Sequence, residues 1–360
     1  MPDSKFKTIH EIVKAARLNL NQTHWDYLIG GTETETTLKR NRASIDARAL
    51  RPKVLNDVSN IDTRVEFMGK QMQLPVILAP IGSLQVFNPE GGAAAAIAAE
   101  QAGIMSIASS VCTPDIEAIA DASNSAKIYQ LYVRGDEHWQ DEIIKRVIDS
   151  GYIGFCVTVD TAVVSRRERD IAKGVIPTSP ASPGDFNYQA KLNWKDVARI
   201  KEKHDIPLIL KGINRADDAE KALAYGVDVI YVSNHGGRQL DQGAGSLDLL
   251  PDIVEAVAGR AEIIIDGGFY RGTDILKAMA MGANAVGLGR LEAWALAAGG
   301  SAALVRCLAI LRHEIIESLA LCGVTAFKDL DNSFVNTAIN PNPSSLQSAF
   351  PLLDLSNAGY

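Results

Sequence analysis

The stretch PLILKGINRADDAEKALAYGVDVIYVSNHG, residues 207–236, contains the unit that determines the fold. It begins with the apolar run PLILKG (207–212), continues with the amphipathic segment DDAEKALAYG (217–226) and ends with a second apolar run, VIYVSNHG (229–236). An apolar run that ends in glycine or polar residues is typical of a strand buried on both faces, and the segment between the runs has helical periodicity. The stretch therefore predicts a β-α-β unit with parallel strands.

Units of this kind recur along the chain. Six further apolar runs have the same character: LPVILAP (74–80), IMSIASS (104–110), KIYQLYV (127–133), IGFCVTVD (153–160), EIIIDGG (262–268) and AVGLGR (285–290). Helical segments such as WQDEIIKRVIDSG (139–151) and GTDILKAMAMG (272–282) lie between them, and several end in a glycine typical of a helix C-terminus. Eight strand–helix units predict an α/β protein with a (β/α)8 TIM barrel. A doubly wound open sheet is the alternative, because periodicity alone does not show that the sheet closes.

The regions around the barrel are predicted to belong to the same domain, which spans residues 1–360. The barrel covers about 74–325, an N-terminal cap with a helical segment near 8–30 covers 1–73, and a C-terminal tail covers about 336–360. The fourth and fifth strands are separated by a long stretch rich in Pro, Ser and Gly, which predicts a long loop after strand 4. Such a loop at the mouth of a barrel is commonly a lid, and a variable surface insertion is the alternative.

Charge, apolar runs and cysteine spacing limit the binding partners and the cellular compartment that the protein could have. The net charge of −7 and the pI near 5.5 argue against nucleic acid or an anionic membrane as partner. No apolar run reaches membrane-spanning length, and the first residues lack a signal-peptide core. Cys112, Cys156, Cys307 and Cys322 have no CxxC spacing and are interpreted as free thiols in a reducing compartment. The sequence therefore predicts a cytoplasmic protein.

The C-terminal ends of the predicted strands carry the residues that suit a functional site, because barrels place function at that face. These ends contain Ala79 to Gly82, Ser109, Ser110, Gln130, Tyr132, Thr158, Asp160, Lys211, Ser233 to Arg238, Asp266 to Gly268, Gly289 and Arg290. Ser, Gln, Thr and Lys side chains from several strands could hydrogen-bond a flat heterocycle. The pattern predicts a site assembled in space rather than one local motif.

The ends of the last two strands are a candidate phosphate site. Asp266-Gly267-Gly268 follows strand seven and Gly289-Arg290 follows strand eight, where barrels often bind phosphate through backbone N–H groups and a helix N-terminus. Glycine permits close approach of the backbone, and arginine adds a forked cation. An ordinary structural turn is the alternative for either pair taken alone.

Lys211 and His235 are the candidate catalytic groups. Lys211 could be a Schiff-base nucleophile or an anion stabiliser, and its position in the barrel mouth disfavours a snorkelling surface role. His235, with Asp160 on another strand end, is a candidate base, and Arg238 suits a substrate carboxylate. A structural histidine is the alternative for His235, and metal binding is disfavoured because no second ligand has suitable spacing.

The most specific motif is SNHGGRQLD (233–241), supported by LPVILAP, YQLYV, TVDT, ILKG, IDGG and GLGR in this order. From about residue 6 to about residue 335 the chain resembles the FMN-dependent L-α-hydroxy acid oxidases and dehydrogenases, which include glycolate oxidase, lactate oxidase and mandelate dehydrogenase. The resemblance implies FMN as cofactor, a small-molecule 2-hydroxy acid as substrate, dioxygen or another electron acceptor, and a homotetramer.

The resemblance also implies a role for each matching residue. The catalytic residues would be His235 as base, Asp160 as its partner and Lys211 near the flavin, with hydride and carbanion chemistry both open. The substrate would be bound by Tyr27, Tyr132, Arg167 and Arg238. The flavin ring would be bound by Ile81, Gly82, Ser109, Ser110, Gln130, Thr158, Lys211 and Ser233, and the ribityl phosphate by Asp266, Gly267, Gly268, Arg271, Gly289 and Arg290.

Three residues depart from the family pattern. Val111 stands where many members have an aromatic residue, and Gly82 stands where glycolate- and lactate-active members usually have alanine but mandelate dehydrogenases have glycine. Both departures predict room for a substrate bulkier than glycolate. Tyr270 replaces an arginine of the usual motif, so that binding of the phosphate would rest on Arg290 and Arg271.

Other functions stay open at this point. A soluble dehydrogenase that acts on a bulkier, mandelate-like hydroxy acid is one alternative. A barrel with a phosphate-bearing substrate that uses Lys211 for isomerase or aldolase chemistry is another. A non-catalytic flavin-binding protein is a third, and the presence of His235 with both arginines disfavours it.

Overall fold

The eight predicted strands close into a parallel barrel. A computed structural model describes residues 6–174, 185–340 and 343–353. The barrel strands are β1 Val76–Leu78, β2 Met105–Ser109, β3 Lys127–Leu131, β4 Gly154–Thr158, β5 Leu208–Ile213, β6 Val229–Val232, β7 Glu262–Ile265 and β8 Ala285–Leu288. Each pairs in parallel with the next, and β8 pairs with β1. The TIM barrel is therefore confirmed and the open sheet is wrong.

The strands are uninterrupted apolar runs because both of their faces are buried. Alternate residues such as Ile77, Ile128, Ile209 and Ile264 point to a cluster inside the barrel to which all eight strands contribute. The residues between them pack outward against the helices. Seven of the eight strands are shorter than their predicted runs, mainly because the end of the run forms the loop that follows, whereas Leu208–Ile213 has the predicted length and is shifted by one residue.

Helices surround the barrel. Three precede it (Ile9–Asn19, Gln22–Ile29 and Thr36–Asp46), and eight follow the strands or their loops (Gly91–Ala102, Ile116–Asp121, Glu137–Asp149, Trp194–Lys203, Ala216–Ala224, Ser246–Val257, Gly272–Ala280 and Arg290–Cys322). Two short helices, Glu168–Ala172 and Phe186–Lys191, lie after β4. Short 3-10 turns occur at Leu84–Val86, His235–Gly237, Phe327–Asp329 and Asn332–Phe334. Residues 175–184 of the predicted lid lie outside the described residues.

The N-terminal cap contains two helices where the sequence predicted one helical segment near 8–30. The break occurs because the Asn21 side chain accepts a hydrogen bond from the His24 N–H at 2.8 Å and so begins a second helix. The first helix begins at a capping box formed by Thr8 and Glu11. Its buried face packs against Arg290–Cys322, which fixes the cap on the barrel.

Two small antiparallel pairs complete the fold. Arg48–Leu50 pairs with Val335–Thr337. Val65–Phe67 and Lys70–Met72 form a hairpin, and its Phe67 and Met72 are buried in the cluster inside the barrel. The hairpin therefore fills the end of the barrel opposite the C-terminal ends of the strands.

One helix is long and apolar enough to cross a membrane by length and composition, which the sequence argument missed. Arg290–Cys322 has 33 residues, with backbone angles at Gly299 and Gly300 that interrupt the helix. Leu304, Leu308 and Leu311 are almost completely buried in the core shared with the barrel and the cap. We interpret it as a core helix of the barrel.

Candidate active site

A pocket opens at the C-terminal ends of the barrel strands. Its unfilled volume is about 940 Å³, including the open mouth. It is lined by thirteen of the predicted site residues: Tyr27, Ile81, Gly82, Tyr132, Arg167, Lys211, His235, Arg238, Asp266, Gly267, Gly268, Gly289 and Arg290. Residues from the N-terminal cap, the loop after β4 and the ends of six strands thus meet at one place.

His235 lies between a carboxylate and a phenol. Its Nδ1 is 3.0 Å from Asp160 Oδ1, and its Nε2 is 3.3 Å from the Tyr132 hydroxyl. Burial lowers the pKa of His235 below its ordinary value, although the Asp160 carboxylate acts in the opposite direction. When Nδ1–H donates to Asp160, the Nε2 lone pair is available. The imidazole is therefore neutral near pH 7 and can accept a proton at Nε2.

The backbone around His235 is a left-handed turn. His235, Gly236 and Gly237 have φ values of 58°, 62° and 75°. A Cβ on Gly237 would lie 2.5 Å from the Leu38 Cα, so this position requires glycine. The Asn234 side chain accepts a hydrogen bond from the Gly237 N–H at 3.2 Å and closes the turn. A non-glycine residue in this region costs on the order of 1 kcal/mol, a strain typical of functional sites.

Two arginines stand beside His235 without an acidic partner. Arg238 donates to the carbonyls of Tyr27 and Gly30 at 2.8 and 2.9 Å, and its guanidinium lies 5.0 Å from the centre of the Tyr27 ring. Burial and then the Arg238 charge lower the pKa of Arg167 to about 10. Neither guanidinium pairs with a carboxylate anywhere in residues 6–174, 185–340 or 343–353. Two adjacent unpaired cations favour binding of an anion such as a carboxylate.

Buried polar side chains connect the ends of β2, β3 and β4. The Ser109 hydroxyl donates to Gln130 Oε1 at 2.8 Å, and Gln130 Nε2 donates to the Thr158 hydroxyl at 2.9 Å. Ser110 accepts a hydrogen bond from the Tyr132 N–H at 3.0 Å. These four predicted residues do not line the pocket surface itself but lie at its strand ends.

Lys211 belongs to a second polar group on β5, β6 and β7. Its Nζ donates to the Ser233 hydroxyl at 2.8 Å and lies 3.2 Å from Asp266 Oδ2, and Ser233 donates to Asp266 Oδ1 at 2.6 Å. Burial alone lowers the pKa of Lys211, but the carboxylates of Asp266 and Asp160 raise it above its ordinary value. A Schiff-base lysine must be a neutral amine before it attacks. The protonated state favours the anion-stabilising interpretation.

The opposite end of the pocket is lined by backbone. Within the described ranges, the N–H groups of Gly268, Gly289 and Arg290 have no hydrogen-bond acceptor. Gly289 directly precedes the first turn of the helix Arg290–Cys322. The Gly268 carbonyl accepts a hydrogen bond from Arg42 at 2.9 Å, which holds the loop in place. Unpaired N–H groups at a helix N-terminus suit a phosphate.

The structure brings only one of the two predicted phosphate arginines to the pocket. Arg290 lines it and donates to the carbonyls of Leu28, Gly236 and Gly30 at 3.1, 3.0 and 2.9 Å. Arg271 instead forms an ion pair with Glu314 at 2.6 Å on the long helix and does not line the pocket. A carboxylate on the neighbouring helix therefore directs its guanidinium away from the predicted phosphate site.

These observations fit FMN. The Lys211 ammonium group lines the pocket and can hydrogen-bond the polar edge of a flavin ring, and the buried hydroxyl and amide groups at the ends of β2, β3 and β4 lie behind the pocket surface. The glycine-lined end offers unpaired N–H groups to a phosphate, with Arg290 next to them. The cationic pair and His235 line the same pocket, and Arg238 and Arg290 both donate to the Gly30 carbonyl. This cationic side of the pocket suits a small carboxylic acid.

Some pocket residues were missed from the sequence. Phe87 and Phe269 line the pocket, and Phe87 stacks on Tyr27 with 5.9 Å between ring centres. Phe87 follows a short 3-10 turn, and no periodicity or motif indicates that it points inward. Tyr270, noted only as a departure, also lines the pocket and packs against Trp294 with ring centres 5.3 Å apart.

The space left by Gly82 is already filled. A Cβ on Gly82 would lie 2.8 Å from Val111 Cγ2. The absent side chain is thus replaced by a valine methyl group rather than by a cavity. Contrary to the expectation from the sequence, Gly82 adds no room for a substrate, and extra room depends on the small size of Val111 alone.

Comparison with known proteins gives a consistent result. The profile of a family described as FMN-dependent dehydrogenase matches residues 16–337. An L-lactate oxidase of Nostoc sp. is 39% identical over 355 residues, which cover 91% of this chain and 97% of the relative. A peroxisomal (S)-2-hydroxy-acid oxidase of Oryza sativa subsp. japonica is 35% identical over 357 residues, covering 94% and 98%. The crystal structure of a mandelate oxidase is similar with a TM-score of 0.86 and 33% identity, over 92% of this chain and 99% of that one.

Proposed function

The chain belongs to the family of FMN-dependent dehydrogenases, and on this premise we propose that it oxidises an L-2-hydroxy acid to the 2-oxo acid, with dioxygen as electron acceptor. The observation that carries the proposal is the neutral His235 beside two unpaired arginines in one pocket. The reaction removes two electrons and two protons from the substrate carbinol, and dioxygen takes them up as hydrogen peroxide. Bound FMN supplies the transfer of electrons between the two.

The protein side chains bind and orient the substrate and move one proton. Arg167 and Arg238 bind the substrate carboxylate as a forked pair of cations. His235 Nε2 accepts a proton, and Asp160 stabilises the imidazolium that results. Lys211 holds a positive charge at the strand ends and so stabilises negative charge that develops in the pocket.

The substrate side chain is proposed to face Phe87 and Val111. Both are apolar and line the pocket near Gly82, so this wall suits an aliphatic side chain. Two of the relatives are L-lactate oxidases, at 39% and 37% identity. A dehydrogenase specific for mandelate-like substrates and lysine-based isomerase or aldolase chemistry are not favoured by the comparisons.

An anaerobic screen of 2-hydroxy acids tests the proposal. Glycolate, L-lactate, L-2-hydroxybutyrate and L-mandelate are each mixed with the purified yellow holoenzyme, and bleaching of the flavin absorbance is followed. At least one L-acid is expected to bleach the flavin, while its D-isomer does not. Admission of oxygen should restore the colour with stoichiometric peroxide. A flavin that no 2-hydroxy acid reduces would contradict the proposal.

The domain extent, the oligomeric state and the cellular compartment are also part of the proposal. We propose a single catalytic domain over residues 1–360 that assembles as a homotetramer and works in the cytoplasm, with its four cysteines as free thiols. Light scattering after gel filtration should give four times the 38.7 kDa chain mass, and a monomer would contradict the assembly. The Oryza sativa relative is named as peroxisomal, so cell fractionation of the source organism is the measurement for compartment.

A further inference from the structure

A network of charges joins the start of the loop after β4 to the N-terminal cap. Arg169 Nε lies 2.6 Å from Glu35 Oε1, its Nη2 lies 2.8 Å from Glu35 Oε2, and its Nη1 lies 3.1 Å from Asp26 Oδ1. Lys173 pairs with the second oxygen of Asp26. Two cations from one segment thus hold two carboxylates from another.

The network is partly shielded from water. The side chain of Asp26 is 5% exposed and that of Glu35 is 16% exposed, while Arg169 is 40% exposed. Burial alone would raise the pKa of Glu35, but hydrogen bonds from Arg169 and the Gly31 N–H hold it below its ordinary value. Removal of the cations would therefore leave two carboxylates that are poorly solvated.

Each partner in the network is close in sequence to a substrate-binding residue. Asp26 directly precedes Tyr27 on the helix Gln22–Ile29, and Arg169 lies two residues after Arg167, the residue that begins the helix Glu168–Ala172. The network therefore connects the two short helices that present Tyr27 and Arg167 to the pocket.

Backbone contacts bring the same two segments to the catalytic loop. The Glu33 N–H donates to the Arg166 carbonyl at 2.9 Å, and the Thr32 N–H donates to the Gly237 carbonyl at 3.1 Å. None of the charged side chains of the network lines the pocket. Their effect on the substrate must then act through the position of the residues that do.

We propose that Arg169 and Lys173, paired with Asp26 and Glu35, are positioning residues that hold Arg167 and Tyr27 in register with Arg238 for binding of the substrate carboxylate. The inference rests on the proposed function, because it concerns the same carboxylate site. Loss of the network lets the helix Glu168–Ala172 shift relative to the cap, and the forked contact to the carboxylate weakens. His235, Asp160 and the cofactor end of the pocket are unaffected.

The test compares two neighbouring arginines in the full-length holoenzyme. Arg169→Met removes the central cation of the network, whereas Arg166→Met removes an exposed arginine that pairs only with Glu168 on the surface. We expect Arg169→Met to raise KM about tenfold with kcat within about twofold, because the carboxylate contact is misplaced but the base is not. Arg166→Met should leave both constants unchanged, and Arg169→Lys should recover part of the loss.

A second readout does not depend on turnover. Oxalate, a dicarboxylate without a carbinol C–H to oxidise, is titrated into each holoenzyme, and the change in flavin absorbance gives its Kd. Arg169→Met should weaken oxalate binding by about the same factor as KM. Equal KM and equal oxalate affinity in the two variants would overturn the inference, as would a parallel fall of kcat. If neither variant nor the unchanged protein responds to any hydroxy acid, the proposed function fails instead, and oxalate binding still tests the carboxylate site.

Discussion

The two ends proposed for the pocket would bind anions in different ways. At the proposed substrate end, Arg167 and Arg238 form no ion pair with a carboxylate among the described residues, although the buried Asp170 interacts electrostatically with both, and His235 is neutral. At the proposed phosphate end, the unpaired N–H groups of Gly268 and Gly289 would bind the anion, and the Arg290 side chain already donates to three carbonyls. Single side chains therefore determine the chemistry at one end, while the shape of the backbone determines binding at the other.

Replacement of the base should give the largest effect and separate the two ends most clearly. His235→Ala is expected to slow reduction of the flavin by substrate at least about a thousandfold, because no other group accepts the proton at that place. FMN should stay bound, since His235 does not lie at the phosphate end. Stopped-flow absorbance under anaerobic conditions measures the rate. His313→Ala, which removes an exposed histidine, is the control, and an unchanged rate in His235→Ala would remove His235 from the mechanism.

Replacement of one arginine at each end directly tests the comparison. Arg238→Met should raise KM about a hundredfold while FMN is retained, because a charge-assisted contact to the substrate is worth about 2–3 kcal/mol. Arg290→Met should weaken FMN binding about tenfold, since part of the binding by backbone N–H groups persists. It should raise KM much less than Arg238→Met does, although both guanidiniums donate to the Gly30 carbonyl. Steady-state kinetics and titration of the flavin-free protein with FMN give the two values. If Arg290→Met mainly changed KM, the division of the pocket would be wrong.

The pH profile sharpens the assignment of the substrate end. Burial places the pKa of His235 below 6.5, so kcat/KM should be constant near neutral pH and fall as the pH drops through that pKa. Asp160 raises the pKa of His235, so Asp160→Asn should move the acid limb to still lower pH and also reduce kcat. The measurement is kcat and kcat/KM for the hydroxy acid between pH 4 and 8, with the electron acceptor at a saturating concentration. An acid limb that moved upward in Asp160→Asn would contradict the pairing.

The smallest effect is expected at the wall of the pocket. Gly82→Ala places a methyl group against Val111, and overpacking of this kind typically costs about 1–3 kcal/mol of unfolding free energy. Val111→Ala in the same chain should recover most of that loss, because it removes the methyl group in contact. Thermal unfolding of the two single variants and the double variant gives the coupling free energy between positions 82 and 111. Additive losses would show that the two side chains do not touch.

The same contrast explains which features the sequence could predict. The barrel was predictable because each strand is buried on both faces and so must be an apolar run, as in VIYV of β6. The position of His235 and Arg238 in one pocket was predictable, because both lie in one short motif at the end of β6. The orientation of the Arg271 side chain could not be predicted from the sequence, because its ion-pair partner Glu314 is 43 residues away along the chain.

Packing between distant segments accounts for the other differences. Nothing in the chain near Gly82 shows that the Val111 methyl group occupies its space, and Phe87 has no pattern that marks it as a pocket residue. The division of the N-terminal cap into two helices did have a local signal, because Asn21 is a typical first residue of a helix. The helical pattern near 8–30 continues across Asn21 and so predicts one segment where the cap residue divides two helices.

The hairpin that carries Phe67 and Met72 has a consequence for the order of events in turnover. Because these side chains fill the lower end of the barrel, the proposed hydroxy acid and its 2-oxo product would both pass through the pocket mouth at the C-terminal ends of the strands. Slow dissociation of the 2-oxo acid would then delay binding of the next hydroxy acid. We therefore expect product release to limit turnover and added 2-oxo acid to inhibit competitively with the hydroxy acid.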